Sequence, residues 1–192
     1  MKKEVPLWQA YRLLQPGTVA LVTTRYLDKI NVMPASWVAP VSFHPPLIGV
    51  AVAPANLTHD LIRRSEVFAL NIPGRPLAEQ VDRAGCISGR DVDNKLAALG
   101  LTAAEAGEIE VPLIEECLAH IECGLVQAIP LGDHVWLVGQ VLAAQADDEA
   151  FDETWLLGED EETRPLLHLG GPIYTLPETR IEIPRRGEAD DD

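Results

Sequence analysis

Three segments in the first hundred residues carry side chains suited to gripping a flat ligand with an anionic tail. In residues 31–42 (NVMPASWVAPVS) an extended stretch exits through the small Ala35 and Ser36 beside the large Trp37. Small residues let a backbone approach a planar ring, and free N–H and C=O groups there can read its polar edge. The same pattern also fits an irregular sheet edge or β-bulge with Trp37 in the core. In residues 56–64 (NLTHDLIRR), Thr58 and His59 fall in the opening turn of a helix, where unsatisfied N–H groups and the positive dipole end suit a phosphate. An ordinary capped surface helix reads the same way, and Asp60 repels a phosphate unless it points away. In residues 86–95 (CISGRDVDNK), Arg90 leaves a Ser88-Gly89 turn as a planar fork and Lys95 follows as a point charge, together an anion clamp. The alternative is that both cations pair with Asp91 and Asp93 on a solvated face.

Other chemistry is poorly served. There is no GxGxxG after a strand, no GxxxxGK[ST], no HExxH and no GxSxG, and His44, His59, His120, His134 and His168 lack metal-ligand spacing. Cys86, Cys117 and Cys123 form no CxxC pair, so they read as buried small apolar residues rather than a disulfide or zinc framework. Asn56-Leu57-Thr58 matches a glycosylation acceptor, but with no secretory h-region at the start it reads as a helix cap.

The elements that position these segments are short. Residues 17–24 (GTVALVTT) and 30–33 form a hairpin, followed by strands over 36–41 and 47–53, the latter being LIGVAVA. A short helix follows from Asn56 or Thr58, then a strand over 67–72. Further helices are expected over 77–84, ending at Gly85, and over 91–99, ending at Gly100. Residues 119–129 and 134–144 form a hairpin about Leu131-Gly132-Asp133, and Phe151, Trp155 and Leu156 suggest a small helical anchor. Many short strands without βαβ alternation predict a mainly β chain, an antiparallel barrel with peripheral helices, in one domain over 1–183 with a charged tail over 184–192.

Composition agrees. The 192 residues are 47% hydrophobic and 23% charged, which excludes wholesale disorder, collagen-like repetition and coiled coil. The longest apolar run is seven residues, too short for a membrane span, and the cytoplasm is the expected location. The net charge of −15 disfavours nucleic acid and anionic membrane as partners. Residues 1–100 carry 11 Lys and Arg against 8 Asp and Glu, whereas residues 101–192 carry 4 against 22, so an anionic ligand belongs to the first half.

In this order, NVMPASWVAPVSFHPPLIGVAVAP, NLTHDLI, SGRDVDNK, VPLIEECLAHIECGL, GDHVWLVGQV and LLHLGGPIY resemble the flavin reductase-like family, including its flavoredoxin branch, from about Leu13 to Tyr174. The resemblance implies a Greek-key split β-barrel and a homodimer with FMN at the subunit interface. It implies an isoalloxazine edge facing Ala35, Ser36, Trp37 and Val38, with Asn31 and Met33 on the same strand. It implies a ribityl and phosphate grip from Asn56, Leu57, Thr58, His59, Ser88, Gly89, Arg90 and Lys95. His134 falls on the nicotinamide side or caps its hairpin, and Tyr174 borders the ligand or closes the barrel. The implied activity is hydride transfer from NAD(P)H to FMN, with electrons passing to free flavin, ferric complexes or a partner oxygenase. The alternative is a flavoredoxin-like carrier with bound FMN and no nicotinamide turnover. Because a flavin carries the redox chemistry itself, no side-chain nucleophile is required.

Overall fold

A computed structural model of the chain describes residues 1–183; the charged tail expected over 184–192 lies outside them. After a 3-10 helix, Leu7–Leu14, come β1 (Gly17–Thr18), β2 (Ala20–Tyr26), β3 (Lys29–Ala35), β4 (Val38–Ser42) and β5 (Leu47–Val52). Helix α1 (Leu57–Ser65) leads to β6 (Val67–Ile72), followed by α2 (Ala78–Cys86), α3 (Lys95–Leu99), β7 (Ala103–Ala104) and β8 (Leu113–Ile114). The long β9 (Ala119–Leu131) and β10 (His134–Ala146) precede β11 (Phe151–Asp152), β12 (Thr154–Trp155), β13 (Leu167–Gly170) and β14 (Ile173–Thr175).

Seven strands form one antiparallel sheet in the order β3-β2-β6-β9-β10-β5-β4. Its two edges, β3 and β4, are consecutive in the chain and joined only by Ser36 and Trp37. A short link between opposite edges requires the sheet to curl until they meet. Bulges in the β9–β10 ladder at Val138/Gly139 and Val141/Ala143 supply part of that curvature. Gly139 is required there, because a Cβ would stand 2.6 Å from the Phe68 ring.

The curl creates an inside and an outside, and β2 is buried against both. Ala20 and Val22 point inward to Val50, Val52, Phe68, Leu70 and Leu137, where α1 adds Ile62. Leu21 points outward with Val19 and Val32 to meet Leu77, Val81 and Ala84 near or on α2 and Leu96 and Leu99 on α3. This explains the unbroken apolar run, since a strand covered on both faces has no polar side to alternate with. Asn71, fully buried in β6, donates to Leu21 O at 2.8 Å and Thr23 Oγ1 at 3.0 Å and accepts from Ile114 N at 2.9 Å. These bonds tie β6, β2 and β8 together without leaving a polar atom unpaired.

Several sequence expectations are corrected. Residues 17–24 break at Val19 into two strands that pair with different sheets. The helix expected to stop at Gly85 continues to Cys86, and that expected from Asp91 begins only at Lys95, where the Asn94 side chain accepts from Ala97 N at 3.1 Å as an N-cap. Phe151 and Trp155 form no helix. They face each other in a two-stranded hairpin turned at Glu153, whose φ of 55° is left-handed. Cys117 and Cys123 are buried as expected, but Cys86 is exposed. Among the described residues no helix is long and apolar enough to cross a membrane.

Candidate functional site

Where the sheet edges meet, three cavities abut. The first, about 390 Å3, is lined by Asn31, Met33 and Pro34 of β3, by residues 55–58 entering α1, by the end of α2 and the following turn through Arg90, and by Lys95. The second, about 110 Å3, shares Pro34 with it and adds Ala35, Ser36, Val81, His168 and Tyr174. The third, about 530 Å3, shares Ser36 with the second and is lined by Trp37, Val38, Ala39, Trp136, His134 and the Tyr11 and Leu14 side of the 3-10 helix. Side by side through these shared wall residues, the three cavities line up as a trough in three compartments along the exit of β3 into β4, polar at one end and apolar and aromatic at the other.

The polar end is built from three chain segments. Asn31, 2% exposed, donates from Nδ2 to Thr58 Oγ1 at 2.8 Å, and its Oδ1 is buried without a partner. Reversing the amide assignment lets Thr58 donate to the carboxamide oxygen and places the NH2 beside Gly89. Gly89 backs onto this carboxamide with no space for a side chain. Asn56 occupies the N-cap position of α1 but does not cap it; its Nδ2 donates to Met33 Sδ at 3.3 Å. Ser88 Oγ accepts from Arg90 N at 3.2 Å and stabilises the turn.

Lys95 is 4% exposed and donates to Ala84 O at 2.7 Å, and burial pulls its pKa down to about 8. An ammonium has three donors, so donors remain for an anion. Arg90 donates to Asp60 Oδ2 at 2.8 Å. The surface-pairing alternative for these cations, with Asp91 and Asp93, therefore does not hold for either. His59 is the one expected phosphate contact that does not line the cavity: Thr58 turns inward, whereas His59 Nδ1 lies 3.5 Å from Asp60 Oδ1.

The apolar end stacks rings. The imidazole of His134 lies with its centroid 4.8 Å from that of Trp37, and Tyr11 meets Trp37 edge-on at 5.5 Å. His134 Nδ1 pairs with Asp133 Oδ1 at 2.7 Å, which holds the Asp133 carboxyl below the usual range. Tyr11, Leu14, Pro34 and Trp136 escaped sequence reasoning; the apolar spacing of Leu7, Tyr11 and Leu14 was the only signal for the first two. Among the described residues no cluster of His, Cys, Asp or Glu could hold a metal.

A curled antiparallel sheet whose consecutive edge strands meet beside a row of cavities has the architecture of a split barrel. The chain belongs to the flavin reductase-like family, whose "Flavin reductase like domain" matches residues 12–177. A protein of Pyrococcus abyssi is 39% identical over 144 residues, covering 75% of this chain and 82% of that one. Among solved structures, an FMN-binding protein from Thermus thermophilus with bound p-hydroxybenzaldehyde is 27% identical, with a TM-score of 0.81 and coverage of 96% and 98%. Flavoredoxin of Desulfovibrio vulgaris (Miyazaki F) is 25% identical, with a TM-score of 0.81 and full coverage of both chains.

Proposed function

We propose that the trough holds FMN and that the protein is an NAD(P)H-dependent flavin reductase, passing electrons to free flavin, ferric complexes or a partner oxygenase. The observation that carries this reading is the alignment of the polar and apolar cavities as neighbours that share the wall residues Pro34 and Ser36. The residues fit the group: Lys95 and Arg90 suit a phosphate, the Asn31 carboxamide, one of whose two polar atoms has no partner, suits a ribityl hydroxyl, and the Trp37-lined cavity suits a flat ring. Bound there, FMN supplies the hydride and electron chemistry.

The chain's own residues bind and orient. Lys95, Arg90, Ser88 and the amides about Gly89 hold the anionic end, and Asn31, Asn56, Leu57 and Thr58 face the middle. The backbone from Ala35 to Val38 reads the ring edge, Tyr174 borders the join, and His134, fixed by Asp133 and Trp37, frames the nicotinamide side. Trp37, Val41, Phe43 and Leu131 are exposed on and beside this end of the sheet, which supports a homodimer with a second copy covering the ring. The family match from 12 to 177 favours reading residues 1–183 as one domain. The free thiols and the nicotinamide donor suit the cytoplasm.

A second reading, an electron carrier without nicotinamide turnover, is favoured by the acidic second half of the chain, which suits docking to a basic redox protein. Anaerobic stopped-flow mixing of the FMN-loaded protein with NADH and with NADPH separates the two. Rapid bleaching with either donor supports the reductase; bleaching only by dithionite or a reduced partner supports the carrier. Colourless protein that fails to take up added FMN overturns both.

A further inference from the structure

Arg90, from the lining of the polar cavity, reaches Asp60, which lies outside that lining. Arg90 leaves the turn after α2, while Asp60 sits in the first turn of α1, just beyond the wall formed by residues 55–58. Arg90 Nη2 donates to Asp60 Oδ2 at 2.8 Å and reaches Ala55 O at 3.4 Å, so the guanidinium straps one wall to the other. Arg90 lines the cavity and Asp60 does not. Both side chains are partly open to solvent, at 51% and 39%. Lys95, the other cation lining the cavity, already donates to Ala84 O.

We propose that Asp60 is a built-in competitor for Arg90, which holds down affinity for a phosphate monoester in the cavity and keeps the bound nucleotide exchangeable. The inference rests on the reading that this cavity takes the phosphate of FMN. A guanidinium has donors enough for two anions, but the carboxylate offsets the charge that would otherwise act on the phosphate alone. Asp60 is therefore a positioning residue: it acts through Arg90 and has no place against the ligand.

The test is equilibrium titration of FMN and of riboflavin, followed by flavin fluorescence, with wild type, Asp60→Asn, Arg90→Gln and the double variant. Wild type binds FMN in preference to riboflavin. Asp60→Asn tightens FMN about tenfold, the scale of one charge-assisted contact that Arg90 no longer shares with a carboxylate, and slows its release while leaving riboflavin unchanged. In the Arg90→Gln background the gain disappears. Unchanged or weakened FMN binding by Asp60→Asn, in a wild type that does prefer FMN, overturns the competition and leaves the site reading standing. So does a gain that persists in full without Arg90. A wild type that binds FMN no better than riboflavin removes the phosphate site and the competition together. The double-variant comparison keeps the result interpretable if Asp60→Asn shifts overall stability.

Discussion

Gly89 lies so close to Asn31 that a Cβ on it would stand 2.0 Å from Oδ1 and 3.0 Å from Leu57 Cδ2. A loop and a strand far apart in sequence are thus fitted together across the polar cavity at a point where only a hydrogen is tolerated. Gly89→Ala must push the carboxamide off Thr58, whose hydroxyl it meets at 2.8 Å. The expected outcome is a tenfold or greater loss of FMN affinity with about 1–3 kcal/mol of destabilisation, read by fluorescence titration and urea unfolding. Undiminished affinity would remove Asn31 from the site.

Lys95 gives a pH dependence of two signs. Its pKa falls from 10.5 in the unfolded chain to about 8 in the fold because burial disfavours the ammonium. Between these values the unfolded chain binds more protons, so stability rises with pH across that window, by about 3 kcal/mol in full. Below pH 8 the folded state carries the whole cost of the buried charge. The stability deficit of ligand-free wild type attributable to Lys95, measured against Lys95→Met, should shrink from pH 7.5 to 10. Phosphate binding runs the other way: FMN affinity of wild type should decline above about pH 8 as the amine loses its proton, and that of Lys95→Met, weaker throughout, should show no such step.

His134 tests the apolar end. Its ring is held by Asp133 and lies against Trp37 rather than in the phosphate grip. In steady-state kinetics His134→Ala should raise KM for the nicotinamide donor several-fold and leave the FMN dissociation constant within about twofold, since a charge-assisted or stacking contact is worth about 1–2 kcal/mol. Equal losses in both constants would place the residue against the flavin instead.

Glu122 tests the fold away from the trough. Its carboxylate, 5% exposed, accepts from the N–H groups of Gly107, Glu108 and Ile109 at 2.9, 2.7 and 3.2 Å and so holds a loop onto β9. Glu122→Gln replaces one acceptor oxygen by a donor that faces N–H groups. It should lower stability by about 2–3 kcal/mol and speed amide exchange over residues 107–109, with FMN affinity unaffected.

The strands and the polar cavity were legible because their signals are local. The apolar run of β2, the turn at Gly132 and Asp133, and the clustering of Thr58, Arg90 and Lys95 in the positive half can all be read within short windows. What escaped depends on closure. Arg90 faces Asp60 rather than its own neighbours because the two cavity walls come together only in the folded sheet, and Tyr11 reaches Trp37 only once the 3-10 helix lies across the exit of β3. His59 and Thr58 are adjacent on α1, so one helical step of about 100° decides which enters the cavity, and sequence fixes no such phase. The late start of α3 had a local sign in Asn94, a good capping residue. The hairpin at Trp155 had none, since it needs Glu153 in a left-handed conformation that glutamate seldom adopts.

The run of β3 into β4 carries one more consequence. From Asn31 to Ser36 the extended chain covers about 17 Å at about 3.3 Å per residue, and because β2 pairs with β3 along its length this distance cannot stretch. The strand is a ruler with a charged stop at one end and an aromatic stop at the other. If FMN lies along the strand as proposed, a molecule too short would touch one stop only and one too long would leave its excess outside, so length would become a selection criterion written into main-chain geometry rather than into any single side chain.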